Sequence, residues 1–303
     1  LRKRYVGRDC ATTLEERTGR AVESFLKANQ ACRDFNANFE PPFDQSVGPW
    51  AVLSEARSFI HSSLLWLDSS GWSSNSVPTL DLFAKLGFGP GASRLANGDS
   101  FIQKLDGPLS ATSEFLVRLY HDAIHHSPVL YDVDGNCRKS DSGTSVWVDV
   151  ERRRLSDWGT TIVHGSKAAF AAKDAQTERM IATEPLCNMM FQLGLGNLLE
   201  SFLRSLGIDL RTQQDVNRLL AYKGSLDGSF ATIDLSSASD MMSSELIKYL
   251  FPSDWYEWFV LTRSPSIEID GKLVQQEMIS TMGNGFTFPL ETFVFLSLAV
   301  AVY

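Results

Sequence analysis

Along the 303-residue chain, the rhythm of apolar and polar positions changes about halfway. In the first half, apolar residues recur every three or four positions, the spacing that lines one face of a helix. Residues 13–35, "TLEERTGRAVESFLKANQACRDF", place Val22, Phe25, Leu26 and Ala28 with Asn29 on such a stripe. "PWAVLSEARSFIHSSLLWL" predicts a second helix. "SATSEFLVRLYHDAI" predicts a third, with Ser113 or Thr112 as its N-cap. The Ser/Gly-rich "DSSGWSSNSVP" reads as a loop, and "GFGPGAS" at 87–93 as a tight glycine-rich turn.

The second half alternates. "AAFAA" and "RMIATE" predict short strands around a polar loop. "LCNMMFQLGLGNLLESFLRSL" predicts a long helix with a buried face, and "DVNRLLAYKG" another, closed by Gly224. "SFATIDL" predicts a strand, and "SSELIKYLF" and "SDWYEWFVLTR" two helices. "SIEIDGKLVQQ" predicts a hairpin, because Asp270-Gly271 is a two-residue turn signal between alternating strands. "STMGNGFTF" is a loop that opens a final helix. Strands interleaved with helices imply a mixed α/β (α+β) core. No internal repeat or low-complexity tract interrupts the chain.

Composition narrows the picture only a little. The chain is 44% apolar and 21% charged, ordinary for a globular protein. A net charge of -8 argues against a generic basic nucleic-acid coat. The sign, however, varies along the chain. Arg152, Arg153, Arg154, Lys167, Lys173 and Arg179 make residues 151–179 basic, whereas residues 227–303 carry a clear excess of Asp and Glu. Such a pair of stretches suits a phosphate-binding surface beside a metal site, and equally two ordinary solvated faces. Cys10, Cys32, Cys137 and Cys187 lie far apart, without CxxC spacing, so neither a zinc site nor a disulfide framework is suggested and a reducing cytosol is the expected setting. No signal peptide opens the chain. "FVFLSLAVAVY" at 293–303 is too short to span a bilayer, with Glu291 just before it, and predicts a buried helix. The chain lacks an initiating Met and ends inside an apolar run with no stop signal, so a fragment is expected.

Several familiar motifs fail. "GLGNLL" at 194–199 lacks the third glycine of a dinucleotide fingerprint and lies within a helical pattern. "HGSK" at 164–167 has no glycine-rich loop upstream, and no GxSxG elbow exists. His121, His125 and His126 share one helical stretch and read as solvated or core residues.

Three segments carry chemistry. In "SFATIDL", Phe230, Thr232 and Asp234 share one strand face, leaving Asp234 at the strand's end on an open side. A carboxylate there is placed to bind a hard divalent cation. Asp240 then starts the next helix; Asp240 or Ser239 also reads simply as an N-cap. In "STMGNGFTFPLETF", Gly283 and Gly285 flank Asn284, whose carboxamide can bond a sugar hydroxyl or a base edge; the loop reads equally as a plain turn. In "AAFAAKDAQTERMIATEP", Lys173 and Arg179 bracket a polar hairpin loop, where two cations could grip a triphosphate or remain solvated.

The order of these segments resembles motifs F, A and B of viral RNA-dependent RNA polymerases. "TIDLSSASD", "ISTMGNGFTFPLE", "KDAQTERMIATEP" with "CNMMFQLGLG", and "GFGPGAS" together resemble the replicase catalytic subunit of positive-strand RNA bacteriophages, over residues 87–303. The resemblance implies a right-hand polymerase fold with fingers and a partial palm, the thumb missing. It divides the chain into an N-terminal region and fingers (1–185), palm with motif A (186–250), a fingers insertion with a hairpin (251–280) and palm with the motif B helix (281–303). It implies that Asp234 is the catalytic, metal-binding carboxylate for two Mg²⁺ ions, with Mn²⁺ as a substitute. Asp240, Ser239, Gly283, Asn284 and Gly285 would lie at the nucleotide and its ribose. Lys173, Arg179 and Lys167 would hold the triphosphate. Gln176 stands where the family usually has a second lysine, and "AAK" replaces "VPK". No Gly-Asp-Asp turn occurs, so the chain alone is expected to be inactive. The implied partners are RNA template and product, NTPs, host elongation factors Tu and Ts and a ribosomal protein, with no membrane. The implied place is the cytoplasm of an infected bacterium. A reverse transcriptase, and a non-catalytic single-stranded RNA-binding or assembly module derived from a polymerase, are the alternatives.

Overall fold

The structure is a computed structural model that describes residues 13–67, 73–96, 98–100, 103–104, 107–123, 156–173, 177–233 and 235–303. Asp234, the arginines at 152–154, Gln176, His125, His126, Cys10 and Cys137 lie outside the described residues. Helix and strand are mixed, as the pattern predicts.

Helix α1, Leu14–Asn38, begins at a capping box: the Thr13 hydroxyl accepts from the Glu16 N–H, and the Glu16 carboxylate accepts from the Thr13 N–H. Its buried stripe is Ala21, Phe25, Ala28, Asn29 and Cys32, while Leu26 points to solvent. α2 is Gly48–Ser63 and α3 Thr79–Ala84. α4, Glu114–Ala123, is capped by Ser113, whose hydroxyl accepts from the Leu116 N–H. Two small pairings accompany these helices. β1 (Trp66–Leu67) runs antiparallel to β2 (Ser73–Ser74), and β3 (Leu109–Ala111) parallel to β4 (Thr160–Ile162).

The main sheet has four strands in the order β6-β5-β7-β8. β5 (Ser166–Ala172) and β6 (Glu178–Thr183) form the expected basic hairpin, in a register that sets Ala172 opposite Glu178 and Lys167 opposite Thr183. β7 (Ser266–Ile269) joins β5 in parallel and returns through Asp270-Gly271 into β8 (Lys272–Gln275). Both turn residues have positive φ, 49° and 76°, as a two-residue hairpin demands. α1 covers this sheet, burying Phe25 and Cys32 against Ala182, Ile267, Ile269 and Met278.

The larger core surrounds α5, Leu186–Ser205, which is buried on most of its circumference. Phe191, Trp255, Phe259, Phe286 and Phe293 are wholly buried there. Each such side chain stabilises the fold by roughly 1.5–3 kcal/mol through area removed from water. α5 also buries two polar residues one turn apart. Asn188 bonds Thr112 and the Thr262 carbonyl, and Gln192 donates to the same carbonyl at 2.9 Å. α6 is Gln213–Asp227, α7 Ser244–Leu250, α8 Ser253–Thr262 and α9 Thr287–Val302. One face of α9 is buried through Leu290, Phe293, Val294 and Ser297, but Phe288, Val300 and Val302 are exposed, so the expected buried helix is buried on one side only. Among the described residues no helix is long and apolar enough to cross a membrane.

Three expectations need correction. The segment 229–233, expected as a strand, is irregular, and Phe230, Ile233 and Leu235 are exposed. Among the described residues no strand pairs with it, and an unpaired strand leaves its backbone groups without a ladder. α6 closes at Gly228, which takes the left-handed φ of 69°, and not at Gly224. Gly224 is instead where the returning chain passes closest, since a Cβ there would meet the Phe230 carbonyl oxygen at 2.3 Å. Finally, neither Asp240 nor Ser239 caps the next helix. Both lie in a 3-10 turn, Ala238–Met241, and Ser243 caps α7 by accepting from the Leu246 N–H.

Candidate active site

The β5–β6 hairpin closes with the Lys173 N–H bonded to the Thr177 carbonyl, which leaves the Lys173 and Arg179 side chains exposed at its tip. Glu178 between them turns inward and is salt-bridged to Arg17 of α1 at 3.4 Å. Alternation along the strand therefore sends the cation outward and the acid inward.

Facing this tip is the turn after residue 234. Ser237 holds a left-handed φ of 55°, unusual for a residue with a side chain, and the Asp240 N–H bonds the Ser237 carbonyl. Together the hairpin and the turn enclose a cleft of about 670 Å³. Lys173, Arg179, Ser236, Ser239, Asp240 and Met282 are among the residues that line it, with Glu291 of α9. Burial raises the pKa of Asp240, opposed by a hydrogen bond from the Met282 N–H. Burial also raises Glu291, and the charge of Asp240 adds to that rise. Asp240 and Glu291 thus share one wall, and two exposed cations stand on the other beside Glu178, whose charge is paired with Arg17.

The glycine loop backs the cleft. The Ala182 N–H donates to the Met282 carbonyl at 2.8 Å, tying the loop to β6. Gly283 has φ 116°, and a Cβ there would lie 2.3 Å from the Ala182 carbonyl oxygen. Only glycine fits both constraints. Asn284 is buried and turned inward: its Oδ1 accepts from the Thr281 N–H and hydroxyl, and its Nδ2 donates to Glu184. The Gly285 N–H donates to Gln192 Oε1.

Of the residues singled out from sequence, the cleft brings together Lys173, Arg179, Ser239 and Asp240. Gly283, Asn284 and Gly285 lie directly behind it. Lys167 lies at the far end of β5 from Lys173, beside Glu268 in the β5–β7 register, and does not line the cleft. Among the described residues no three of His, Cys, Asp and Glu converge as metal ligands. The donors present, the carboxylates of Asp240 and Glu291, are hard oxygens that suit Mg²⁺ or Mn²⁺ better than a soft metal.

Sequence reasoning missed Glu184, Gln192 and Glu291. Asn188 and Gln192, four apart within an apolar helix, were a legible signal of a buried polar face. So was Glu184, the only charge in "MIATEPL".

What this geometry defines is a cleft with a cationic rim and an acidic wall. The model of the RNA replicase beta-chain family matches residues 6–303, and the chain belongs to that family. It is 46% identical over 138 residues to the RNA-directed RNA polymerase subunit beta of Escherichia virus Qbeta, covering 45% of this chain and 23% of that one. It is 39% identical over 155 residues to the RNA-directed RNA polymerase beta chain of Escherichia phage MS2, covering 51% and 28%. The corresponding chain of Enterobacteria phage GA is 43% identical over 140 residues, covering 46% and 26%. The matched stretch is thus about a quarter of each relative's length.

Proposed function

We propose that this chain, as part of a longer polypeptide, performs template-directed RNA synthesis from NTPs during phage genome replication. The observation that carries the reading is the cleft. It sets Lys173 and Arg179 across from Ser239, Asp240 and Glu291, which suits a triphosphate at one wall and a sugar with cations at the other. In this reading the hairpin belongs to the fingers, and the 235–240 turn and the glycine loop belong to the palm of a right hand.

Lys173 and Arg179 bind and orient the triphosphate. Ser239 and Asp240 abut the ribose, where small side chains leave room for the nucleotide. Asp234, together with carboxylates of the longer polypeptide, would hold the divalent ions, which would supply the charge neutralisation that phosphoryl transfer requires. Asn284 acts through the shape of the loop, because its amide is already bonded within the protein. With no Gly-Asp-Asp turn among them, these 303 residues alone bind nucleotide without joining it. RNA template and product, together with the host elongation factors and ribosomal protein, are partners of the longer polypeptide, in the cytoplasm of the infected bacterium.

The test uses that longer polypeptide. Asp234→Ala abolishes NTP incorporation on an RNA template while RNA affinity, read by filter binding, stays within about threefold, since a metal-site carboxylate makes no phosphate contact of its own. Equal loss of both sinks the metal role and favours a non-catalytic RNA-binding module. Arg179→Ala raises the apparent KM about tenfold for all four NTPs alike, the size of one charge-assisted hydrogen bond. An effect confined to one base contradicts contact with the triphosphate.

A further inference from the structure

Glu184 follows β6 directly and is 2% exposed. Its backbone carbonyl accepts from the Arg94 N–H at 2.8 Å, fixing the strand's end to the glycine-rich segment before it. Its two carboxyl oxygens bond different parts of the chain. Oε2 accepts from the Ser264 hydroxyl at 2.6 Å, at the junction between α8 and β7. Oε1 accepts from Asn284 Nδ2 at 3.1 Å, inside the glycine loop. Gln192 of α5 adds a side-chain hydrogen bond, and the Arg263 guanidinium supplies a nearby positive charge.

Burying a carboxyl group here is costly, and burial lifts its pKa to about 7 against the bonds that favour the ionised form. The start of β7 is already held to β5 without Glu184, by the strand pairing and by the Ser166 hydroxyl donating to the Ser266 carbonyl. What is particular to Glu184 is its hold on Asn284. That amide closes the loop by accepting twice from Thr281, and the Thr287 hydroxyl bonds the Thr281 carbonyl in turn. The loop is thus held to β6, the strand that carries Arg179, at two points: the backbone bond from Ala182 to Met282, and the Glu184 carboxyl group through Asn284.

We propose that Glu184 is a positioning residue: by bonding Asn284 and Ser264 at once, its carboxyl group fixes the glycine loop 281–285 against the end of the Arg179 strand and so sets the shape of the nucleotide cleft. The consequence for catalysis rests on the polymerase reading above; the consequence for the loop does not.

The discriminating change is Glu184→Gln. A glutamine keeps the size but carries no charge: its amide can donate to Ser264, whose hydroxyl also accepts, and its oxygen can still accept from Asn284, so what is lost is the charge assistance of both bonds. Asn284 cannot compensate by flipping, because its other side faces the Thr281 N–H donor. In the full-length polypeptide, amide hydrogen exchange across 281–285 speeds up about tenfold, the equivalent of turning a charge-assisted hydrogen bond into a neutral one, while exchange in α5 is unchanged. Ser264→Ala, which removes only the far bond, gives a smaller acceleration in the same residues. Adding Asn284→Ala to Glu184→Gln accelerates the loop no further than Asn284→Ala alone. If the polypeptide polymerises RNA, Glu184→Gln raises the KM for NTPs several-fold with kcat changed less than twofold. Unchanged loop exchange overturns the proposal. So does acceleration spread evenly over the whole protein, or a double variant that is additive. Absence of polymerase activity in the unaltered polypeptide overturns the functional reading and leaves the exchange result to decide the positioning role.

Discussion

Two regions flank the cleft, and they are built in opposite ways. Behind it, Glu184, Gln192, Thr281 and Asn284 are buried and bonded to one another, and the glycines let backbone pass against backbone. Beside it, α6 and residues 229–233 bury nothing. Val216, Leu219, Tyr222, Leu226, Phe230 and Ile233 are all exposed. In the first region geometry is over-determined, so one altered atom is felt at once. In the second the local helix signals suffice to form α6, but nothing in the described residues rewards its apolar side. A strong local pattern therefore makes an element, and only burial makes a site.

Substituting glycines separates the two regions most sharply. Gly283→Ala meets both a forbidden φ and the Ala182 carbonyl at 2.3 Å, so its cost exceeds about 3 kcal/mol in a denaturant titration. Gly228→Ala in the open region has a similar left-handed φ of 69° but nothing within 4 Å, and costs about 1 kcal/mol. Equal costs would show that the packing behind the cleft is softer than described.

The next effect is pH-dependent and belongs to the bonded region. Glu184 rises from an ordinary 4.5 to about 7 in the folded protein. Between those values the folded state binds more protons than the unfolded state, so stability falls as pH rises from about 4.5 to about 7. The loss is on the order of 3 kcal/mol. Melting temperatures measured across that window decline in the unaltered protein and decline less steeply in Glu184→Gln, where Asp240 and Glu291, also raised by burial, keep a smaller slope of the same sign. A slope unchanged by the substitution assigns the linkage elsewhere.

Least is expected on the open side. Leu219→Glu, at a position 67% exposed, shifts stability by no more than about 0.5 kcal/mol. A loss above about 2 kcal/mol would mean that the face of α6 is buried in solution.

This contrast also explains what could be read in the sequence. The basic hairpin, the Asp270-Gly271 turn and α1, α5 and α9 were all legible, because their signals are local: alternation, turn chemistry and helical spacing. The segment 229–235 misled for the same reason. Its alternation is that of a strand, but a strand is completed by a neighbour, and pairing is not written in the strand itself. Asp240 misled more subtly. Its position before an apolar run suits a cap, yet Ser243 takes that role three residues later and Asp240 is drawn to the cleft instead. Lys173 and Arg179 could be found as cations at a hairpin tip. That Lys167 would lie at the other end of the same strand followed only once the register was known. Glu184 could be seen as an odd charge, but its partners at 192, 264 and 284 are brought together only by the fold.

The parallel contact between β5 and β7 has a kinetic meaning. Ser166 pairs with Ile267, so the central sheet joins segments separated by roughly a hundred residues, with α5 to α8 between them. Local helices and the β5–β6 hairpin can form early, but this ladder must wait until the intervening chain has closed its loop. On a ribosome adding roughly 5–20 residues per second, that is a delay on the order of 5–20 s during which one side of β5 has no neighbour. β5 carries "AAFAA", small and apolar with no charge of its own, flanked by Lys167 and Lys173. β7 pairs only with Ser166 and Lys167, so among the described residues the "AAFAA" edge keeps no neighbour on that side, and the two lysines that bracket it discourage pairing with another copy of the chain.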